Sequence, residues 1–455
     1  MVMCLSFFYI FLGSAFAQMP FKLPENGFKL IYTIPNHYEI DRHRVRPPLT
    51  GAQILSDSKN SVFKLKLGVA SGMGSLGHGT AFAIDAAGLL VTNFHVVVDA
   101  LENPKKYNLS NEKLGPMSVV AIDPVNDLAI LAVKSKLNSI LSLSPENELS
   151  DGDTIYSLGY PRSEDLTMVS GTYNGTQVRG LASISAASIA INPGMSGGPS
   201  LDHYGRVIGV NRAIHRNAQS LSYLSPLSAI RALVEKAKNN PGQLKGGQWR
   251  SLVEEAIREQ EALALKTIRL PALASVSHQK VGGFLFGIPI KGIECSQDFD
   301  RSENGVTKSE EIVCQSKGFA MVSGDIESLK LETHGGYTSS WISENPALRA
   351  LLRSYKGLKK SLKTAAKLTE SPQKKVKQKC ELKNIKNRYG TKLVAQYCSM
   401  NIPHFSGIYS TFLRVMVRNK KGDDITIGQT YEGFTLDATI QLMTIFLESI
   451  YEESP

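Results

Sequence analysis

A run of short apolar segments separated by turns occupies residues 61 to 224 and constrains the fold more than any other feature of the sequence. The first segment alternates polar and apolar side chains with the two-residue period of a strand. Turn signals recur at the spacing expected of β-sandwiches and β-barrels. No helix is predicted before residues 225–238, so residues 56–240 are predicted to form an all-β domain closed by a helix. The predicted strands are 61–67, 80–84, 89–92, 117–122, 128–133, 154–158, 168–173, 187–191, 207–211 and 220–224.

The segments before this domain have a different composition. Residues 1–17 contain no charged side chain, include an apolar run from Phe7 to Leu12 and end in AFA at 15–17. This pattern is typical of a secretory signal peptide cleaved after Ala17, with a buried N-terminal strand or helix as the alternative. We therefore expect a periplasmic or secreted protein. Residues 18–55 show no sustained period, which indicates an extension that wraps the next domain or is partly disordered.

Beyond residue 240 helical and strand patterns are mixed. A helix over 249–268 lies in a connector assigned to residues 241–270, and strands are expected at 283–290, 318–322, 409–417 and 424–430. Residues 271–455 are therefore predicted to form a separate α+β domain. Apolar side chains recur at helical spacing near the C-terminus, and we expect that face to dock on a sheet. They are Leu436, Ile440, Met443, Leu447 and Ile450.

Four cysteines lie in this last region. An even number in an exported chain predicts two disulfides. Four cysteines allow three pairings, of which the one between sequence neighbours is favoured. No Cys-x-x-Cys pair or histidine cluster supports a metal site, and no cofactor is predicted. The favoured pairs are Cys295 with Cys314 and Cys380 with Cys398.

The net charge of +10 comes from one basic segment. Residues 349–388 hold 14 Lys and Arg and 2 acidic side chains, so the rest of the chain is close to neutral. A solvated helix face and linker is the favoured interpretation. Contact with an anionic polymer or a lipid surface is the alternative.

A serine flanked by glycines marks the candidate active site. Ser196 lies in the stretch NPGMSGGP at 192–199. Glycines give the backbone conformations closed to other residues, so that amide groups can point at one spot beside the hydroxyl and form an oxyanion hole. A serine hydroxyl also needs a base oriented by a carboxylate. His95, placed at the end of the strand 89–92, and Asp127, placed before the strand 128–133, are the candidates.

The order His, Asp, Ser and the surrounding residues resemble the HtrA/Deg serine proteases of the chymotrypsin clan. The resemblance extends over about residues 60 to 235. The family usually has Asn or Asp where Met195 stands and Leu where Ser200 stands. The stretches that carry the resemblance are TNFHVV at 92–97, NDLAIL at 126–131 and AINPGMSGGP at 190–199, with GTAF at 79–82 and GYP at 159–161.

The resemblance implies a chymotrypsin-like fold of two β-barrels with the site in the cleft between them. His95 would act as general base and then as general acid, Asp127 would orient it, and Ser196 would attack the scissile carbonyl. The oxyanion hole would be formed by the Gly194 and Ser196 amides, with that of Met195 as a third candidate.

The resemblance also places the wall of the primary substrate pocket about six residues before the nucleophile. Ala190 stands there, without a carboxylate, so a small or medium apolar substrate side chain is expected. The other pocket candidates are Asn211, Arg212, Ala213, Ser222, Tyr223 and Leu224.

These features predict an exported serine endopeptidase that acts on polypeptides, unfolded ones included, in envelope protein quality control. The alternative is a catalytically silent trypsin-fold binding protein whose C-terminal domain recruits a partner. Assembly into a homo-oligomer is a further expectation. Relatives commonly continue into PDZ domains, but no evident carboxylate-binding loop of that kind follows residue 248.

Overall fold

The structure is a computed structural model that describes residues 47–453, with gaps at 73, 147, 163–164, 180–181, 215–220, 241, 268–276, 282, 289–293, 302–306, 316–319, 324–325, 329, 341–378, 403–404 and 421–423. The predicted signal peptide, residues 18–46 of the predicted extension and residues 349–378 of the basic segment lie outside the described residues.

Six antiparallel strands close into the first barrel. Apolar side chains alternate into its interior, as in β1, where Phe63, Leu65 and Leu67 are buried. The order around the barrel is β1-β2-β3-β6-β5-β4. The strands are β1 (Val62–Val69), β2 (Ser75–Asp85), β3 (Leu89–Thr92), β4 (Tyr107–Asn111), β5 (Gly115–Asp123) and β6 (Leu128–Ala132).

A second set of six antiparallel strands closes into another barrel in the order β10-β11-β12-β9-β8-β7. Its strands are β7 (Thr154–Gly159), β8 (Thr167–Arg179), β9 (Ala182–Ser188), β10 (Pro199–Leu201), β11 (Val207–Ile214) and β12 (Leu221–Pro226). The two closed barrels confirm the predicted chymotrypsin-like fold.

Two helices lie where the sequence did not predict them. Helix α1 (Gly51–Ser58) occupies the end of the predicted extension, and Thr50 caps it in a reciprocal capping box with Gln53. Helix α2 (Phe94–Glu102) interrupts the strands of the first barrel. The expectation that no helix precedes residue 225 is therefore wrong. Phe94, Val97 and Val98 form the buried face of α2, at the spacing of an amphipathic helix.

The chain leaves the barrels through helix α3 (Leu227–Asn239) and helix α4 (Gln248–Thr267). Trp249 at the start of α4 is buried between Phe94 of α2 and Phe405, with ring centroids 6.3 Å and 5.7 Å away. One continuous apolar cluster therefore joins the core of the first barrel to that of the C-terminal region.

The C-terminal region combines β-sheets with a terminal helix, as expected of the predicted α+β architecture, and is rich in strands. Its seven-stranded sheet has the order β15-β16-β19-β23-β22-β21-β20, and the smaller sheets are β13-β14-β24 and β17-β18. The hairpin β17–β18 lies against α2 and α4. Strands β13 to β24 are Ser277–Val281, Phe284–Ile288, Glu294–Arg301, Thr307–Gln315, Ala320–Ser323, Ile326–Ser328, Lys330–Ser340, Lys379–Lys386, Lys392–Asn401, Ile408–Arg418, Asp424–Thr435 and Tyr451–Glu452.

The predicted terminal helix is present as α5 (Leu436–Ser449) and docks on β14, β22 and β23 as expected, but the face that it buries is only partly the predicted one. Leu436 and Ile440 are 41% and 52% exposed. The helix instead docks through Ala438, Thr439, Leu442, Ile445, Phe446 and Ser449. The buried face includes polar Thr439 and Ser449, whose hydroxyls bond to backbone carbonyls of residues 435 and 446. Of the predicted residues, Ile450 is buried, and Met443 and Leu447 pack against the core.

Both predicted disulfides are present, Cys295 with Cys314 and Cys380 with Cys398. Each joins residues that lie directly opposite each other in the ladders β15–β16 and β20–β21. None of the helices in the described part of the chain has the length and apolar character that crossing a membrane requires.

Candidate active site

His95 lies in the first turn of α2 and not at the end of a strand, as the sequence had suggested. Asn93 occupies the N-cap position in an extended conformation. Its side-chain amide donates to the Asp127 carbonyl at 2.8 Å rather than capping the helix. The cap residue therefore ties the start of the His95 helix to the loop that carries Asp127.

The Asp127 carboxylate holds His95 with both oxygens. Oδ2 lies 2.7 Å from Nδ1 of the His95 ring, and Oδ1 accepts the backbone N–H of His95 at 2.9 Å. Asp127 has a left-handed φ of 53°, a conformation that aspartate tolerates better than most residues. The loop is fixed further because the Ser225 hydroxyl donates to the Asn126 carbonyl at 2.6 Å. The ring and the carboxylate are thus oriented before any substrate arrives.

The electrostatics of the pair favour an ionised carboxylate. Burial alone would raise the pKa of Asp127, but the attraction of His95, its hydrogen bonds and the nearby Arg212 guanidinium lower it. Burial alone would lower the pKa of His95, but the charge and hydrogen bond of Asp127 outweigh burial and raise it, while Arg212 opposes the rise. An imidazole held in this way can accept a proton on its other nitrogen.

The Ser196 loop contains a β-turn closed by the Met195 amide. Met195 N–H donates to the Asn192 carbonyl at 3.0 Å, with Pro193 and Gly194 between them and Gly194 at φ 97°. Proline followed by a left-handed glycine is the signature of a type II turn. No hydrogen-bond partner is found among the described residues for the Gly194 and Ser196 amides.

Met195 has a different place from the one the sequence suggested. Its amide is used within the turn, so Gly194 and Ser196 remain the candidate oxyanion donors. Its side chain is fully buried in the apolar cluster of the second barrel with Ile155, Ile189 and Leu224. An apolar residue therefore fits the position where relatives have Asn or Asp.

The Ser196 loop packs directly against the strands that lead to His95. Thr80 N–H donates to the Ser196 carbonyl, and the Thr80 hydroxyl donates to the Gly194 carbonyl, both at 2.8 Å. A Cβ on Gly197, at φ 85°, would lie 2.1 Å from the Thr80 carbonyl oxygen and 3.2 Å from the Asn93 amide nitrogen. Only glycine permits this approach, which brings the serine loop beside the N-terminus of α2.

The predicted pocket residues do not form one exposed surface. Ala190 is exposed, and Ala213 lies in β11. Asn211 is buried, with its side chain bonded to the Leu158 and Met195 carbonyls and to the Ser200 hydroxyl. Ser222, Tyr223 and Leu224 are buried as well, and the Ser222 hydroxyl donates to the Ile189 carbonyl. In β12 the alternation of side chains does not distinguish pocket-lining residues from core residues, because residues 222–226 are all buried.

Sequence reasoning missed three supporting side chains. Thr80, Asn93 and Ser225 each bond to a loop that carries Ser196 or Asp127, and Thr80 and Asn93 lay inside the recognised stretches. Arg212, a pocket candidate from the sequence, has its Nε 3.7 Å from Asp127 Oδ2. Among the described residues no group of three or more His, Cys, Asp or Glu side chains is arranged to hold a metal ion.

Comparison with known proteins finds relatives of the region that holds the candidate site. Residues 79–210 match the trypsin-like peptidase domain family. A probable periplasmic serine endoprotease DegP-like from Chlamydia pneumoniae is 35% identical over 147 residues, which are 30% of this chain and 28% of that protein. The putative serine protease HhoB from Synechocystis is 30% identical over 168 residues, 35% of this chain and 40% of that protein. The predicted resemblance to HtrA/Deg serine proteases is confirmed for this region.

Solved structures are also similar. The crystal structure of Deg5 has 25% sequence identity and a TM-score of 0.35, over 41% of this chain and 92% of that chain. The active form of the Rv3671c protease from M. tuberculosis has 19% identity and a TM-score of 0.36, over 44% and 89%. The matching region of this chain spans 28% of the length of the Chlamydia pneumoniae relative and 40% of that of HhoB.

Proposed function

We propose that this chain, whose central region is a trypsin-like peptidase domain of the HtrA/Deg type, is an exported serine endopeptidase that hydrolyses peptide bonds of polypeptide substrates. The observation that carries the proposal is the bond of 2.7 Å between the His95 ring and the buried Asp127 carboxylate, beside a glycine loop that bears Ser196. A carboxylate, an imidazole and a serine hydroxyl on adjoining segments are the parts of acyl-transfer catalysis.

In the proposed mechanism, His95 Nε2 takes the proton of the Ser196 hydroxyl as the oxygen attacks the scissile carbonyl. The Gly194 and Ser196 amides stabilise the oxyanion that forms. Imidazolium, held by ionised Asp127, then donates the proton to the leaving amine, and the carbonyl stays bound to Ser196 as an acyl ester. Water, deprotonated by His95, then attacks the ester carbonyl, the bond to Ser196 breaks, and His95 returns the proton to the Ser196 oxygen as the carboxylic acid product leaves.

Two observations support an exported location. Two relatives of the peptidase region are named periplasmic, and disulfides such as the two in the C-terminal region persist in oxidising compartments. We propose envelope protein quality control, with unfolded polypeptides as substrates, as the biological role, and a homo-oligomer as the working assembly. For the primary pocket we propose a small or medium apolar side chain. Peptides that vary only this side chain test it, and a preference for Lys or Arg would contradict it.

The second candidate function is a catalytically silent binding protein, and a fluorophosphonate probe distinguishes the two. We expect the probe to label the native full chain and to leave Ser196→Ala unlabelled, because only an activated serine attacks the phosphorus. Ser170→Ala removes an exposed hydroxyl from β8 of the same barrel and should label like the native chain. Absence of labelling of the native chain from pH 6 to 9, with or without a denatured protein substrate, would favour the binding protein.

Gly194→Ala is expected to lower kcat by about 10² to 10³-fold, the usual effect of losing one oxyanion donor. The added Cβ would lie 2.3 Å from the Tyr160 carbonyl oxygen and 2.6 Å from Nε2 of His78, at a φ of 97° that disfavours alanine. The turn must therefore rearrange, which moves the amide of residue 194 out of the proposed oxyanion hole. Peptide hydrolysis measures the effect, with KM expected to change little.

The matched control is Gly205→Ala. Gly205 also has a left-handed φ, 76°, but the nearest atom to its added Cβ is Leu49 Cδ1 at 3.7 Å. This variant introduces the same kind of backbone strain, but at a position outside the Ser196 loop. It should therefore hydrolyse peptide at close to the native rate. Equal losses in the two variants would show that general destabilisation, and not the oxyanion donor, explains the effect.

A further inference from the structure

We propose that Arg212 is a positioning residue of the active site, which shares the Asp127 carboxylate with His95 and sets the pH at which His95 becomes a competent base. This inference rests on the proposed peptidase function and names a residue that regulates it. Arg212 belongs to the second barrel and Asp127 to the first, so the contact also crosses the two barrels.

Arg212 stands at a β-bulge in strand β11. In the β11–β12 ladder the pairing passes from Asn211 opposite Leu224 to Ala213 opposite Tyr223, so Arg212 is the extra residue. Bulges interrupt strand alternation and redirect a side chain, and they are frequent beside active sites. Asn211 points into the second barrel, where it bonds the Leu158 and Met195 carbonyls. Arg212 points instead towards Asp127 of the other barrel.

Arg212 and His95 act on the same oxygen. Arg212 Nε lies 3.7 Å from Asp127 Oδ2, which the His95 ring contacts at 2.7 Å. The Asp127 side chain is 4% exposed and that of Arg212 14%, unlike the partners of an ordinary surface ion pair. Charges held this far from water are weakly screened. The guanidinium therefore competes with an imidazolium for one buried negative charge.

The competition has a definite direction. Asp127 raises the pKa of His95 above its ordinary value, and Arg212 opposes that rise. A higher pKa would leave less of the neutral imidazole, the form that accepts a proton, near neutral pH. Arg212 thereby keeps the base available at lower pH.

Other charged groups on or near α2 do not shift the pKa of His95. Among the described residues, Asp127 and Arg212 are the charges that act on the His95 ring. On β1, Lys64 acts on His78, and Lys66 pairs with Glu112. Asp99 and Glu102 lie one and two turns further along α2. Replacement of Arg212 should therefore change the field at His95 without compensation.

The experiment compares Arg212→Gln, Arg212→Lys and the native full chain in the pH dependence of fluorophosphonate labelling of Ser196. We expect Arg212→Gln to move the acid limb of the labelling rate up by about one pH unit, the shift typical of losing one nearby charge. Labelling at pH 6 should then fall about tenfold, with a smaller change at pH 9. Arg212→Lys should keep the native limb, because the charge remains. The control is Arg231→Gln, which removes a positive charge from α3. In this variant the acid limb of the labelling rate should stay at the native pH.

A second measurement does not depend on activity. In a Ser196→Ala background, the ring nitrogens of His95 are titrated by NMR with 15N-histidine, and the signal is assigned by its loss in His95→Gln. The midpoint should rise by about one pH unit on Arg212→Gln. If the native chain does not label but this midpoint still rises, the peptidase proposal fails and the role of Arg212 as a charge that tunes His95 stands.

Three results would overturn the proposal. An unchanged midpoint together with a labelling rate lowered by one factor at every pH would make Arg212 only a structural tie between the barrels. A change confined to KM for peptides with acidic side chains would make it a substrate contact. A shift of the same size in Arg212→Lys would exclude the charge as the cause.

Discussion

Replacement of Asp127 by asparagine is expected to lower kcat/KM for peptide hydrolysis by about 10⁴-fold, the usual effect when the histidine of a triad takes the wrong tautomer. The structure fixes how the asparagine must sit. The backbone N–H of His95 donates to Oδ1 at 2.9 Å and can only donate. The asparagine oxygen must therefore stay there, and its NH₂ group must face Nδ1 of the ring.

An NH₂ group at that position requires Nδ1 to accept a hydrogen bond. The ring proton then moves to Nε2, which can no longer take a proton from Ser196. The substitution also removes the charge that raises the pKa of His95. The acid limb of the pH–rate profile should therefore move to lower pH while its plateau falls, and profiles from pH 5 to 9 measure both changes.

Asp123→Asn is the matched control. Asp123 stands at the end of β5 in the same loop, and its carboxylate accepts from the Asn126 amide and side chain at 3.0 Å and 2.7 Å, with no contact to His95. Its activity should stay within a few-fold of native. A kcat/KM for Asp127→Asn within tenfold of the native value would remove Asp127 from the proposed mechanism.

The stretches around His95, Asp127 and Ser196 carry the resemblance that implies the double barrel. Alternation and turn spacing alone predicted an all-β domain of the sandwich or barrel kind, and they missed the short strands β4 and β10. The pairing of the cysteines followed from sequence separation alone, since neighbours in the chain became neighbours in two hairpin ladders. Both predictions depend on residues that are close together in the sequence, so they require no knowledge of contacts between distant segments.

The parts that were not predicted depend on contacts between distant segments. Asn93 followed by Phe94, Val97 and Val98 is a helix signal. It was missed because the neighbouring segments are short strands and this one was assigned with them. The buried face of α5 depends on its packing against β14, β22 and β23, which lie elsewhere in the chain. The β-bulge at Arg212 exists only in the pairing of β11 with β12, so alternation along β11 gives no sign that Arg212 reaches Asp127.

Trp249→Ala is expected to lower the free energy of unfolding by about 3 to 5 kcal/mol, the usual cost of truncating a buried tryptophan. Trp249 is 1% exposed and contacts Phe94, the residue before His95, and Phe405 of the C-terminal region. The cavity would open beneath the first turn of α2. We therefore expect a lower midpoint of urea unfolding, followed by circular dichroism, and a fall in peptide hydrolysis under conditions where the protein remains folded.

Two further variants show whether the cavity is the cause. Trp249→Phe keeps an aromatic ring between Phe94 and Phe405 and should recover most of the stability and activity. Leu263→Ala removes an apolar side chain that is 46% exposed on the same helix, so it should cost less than about 1 kcal/mol. If Trp249→Ala unfolds at the native urea midpoint yet loses activity, the contact with the C-terminal region affects the position of His95 but does not contribute to the stability of the fold. If both stability and activity are unchanged, the packing of Trp249 on Phe94 does not support the active site.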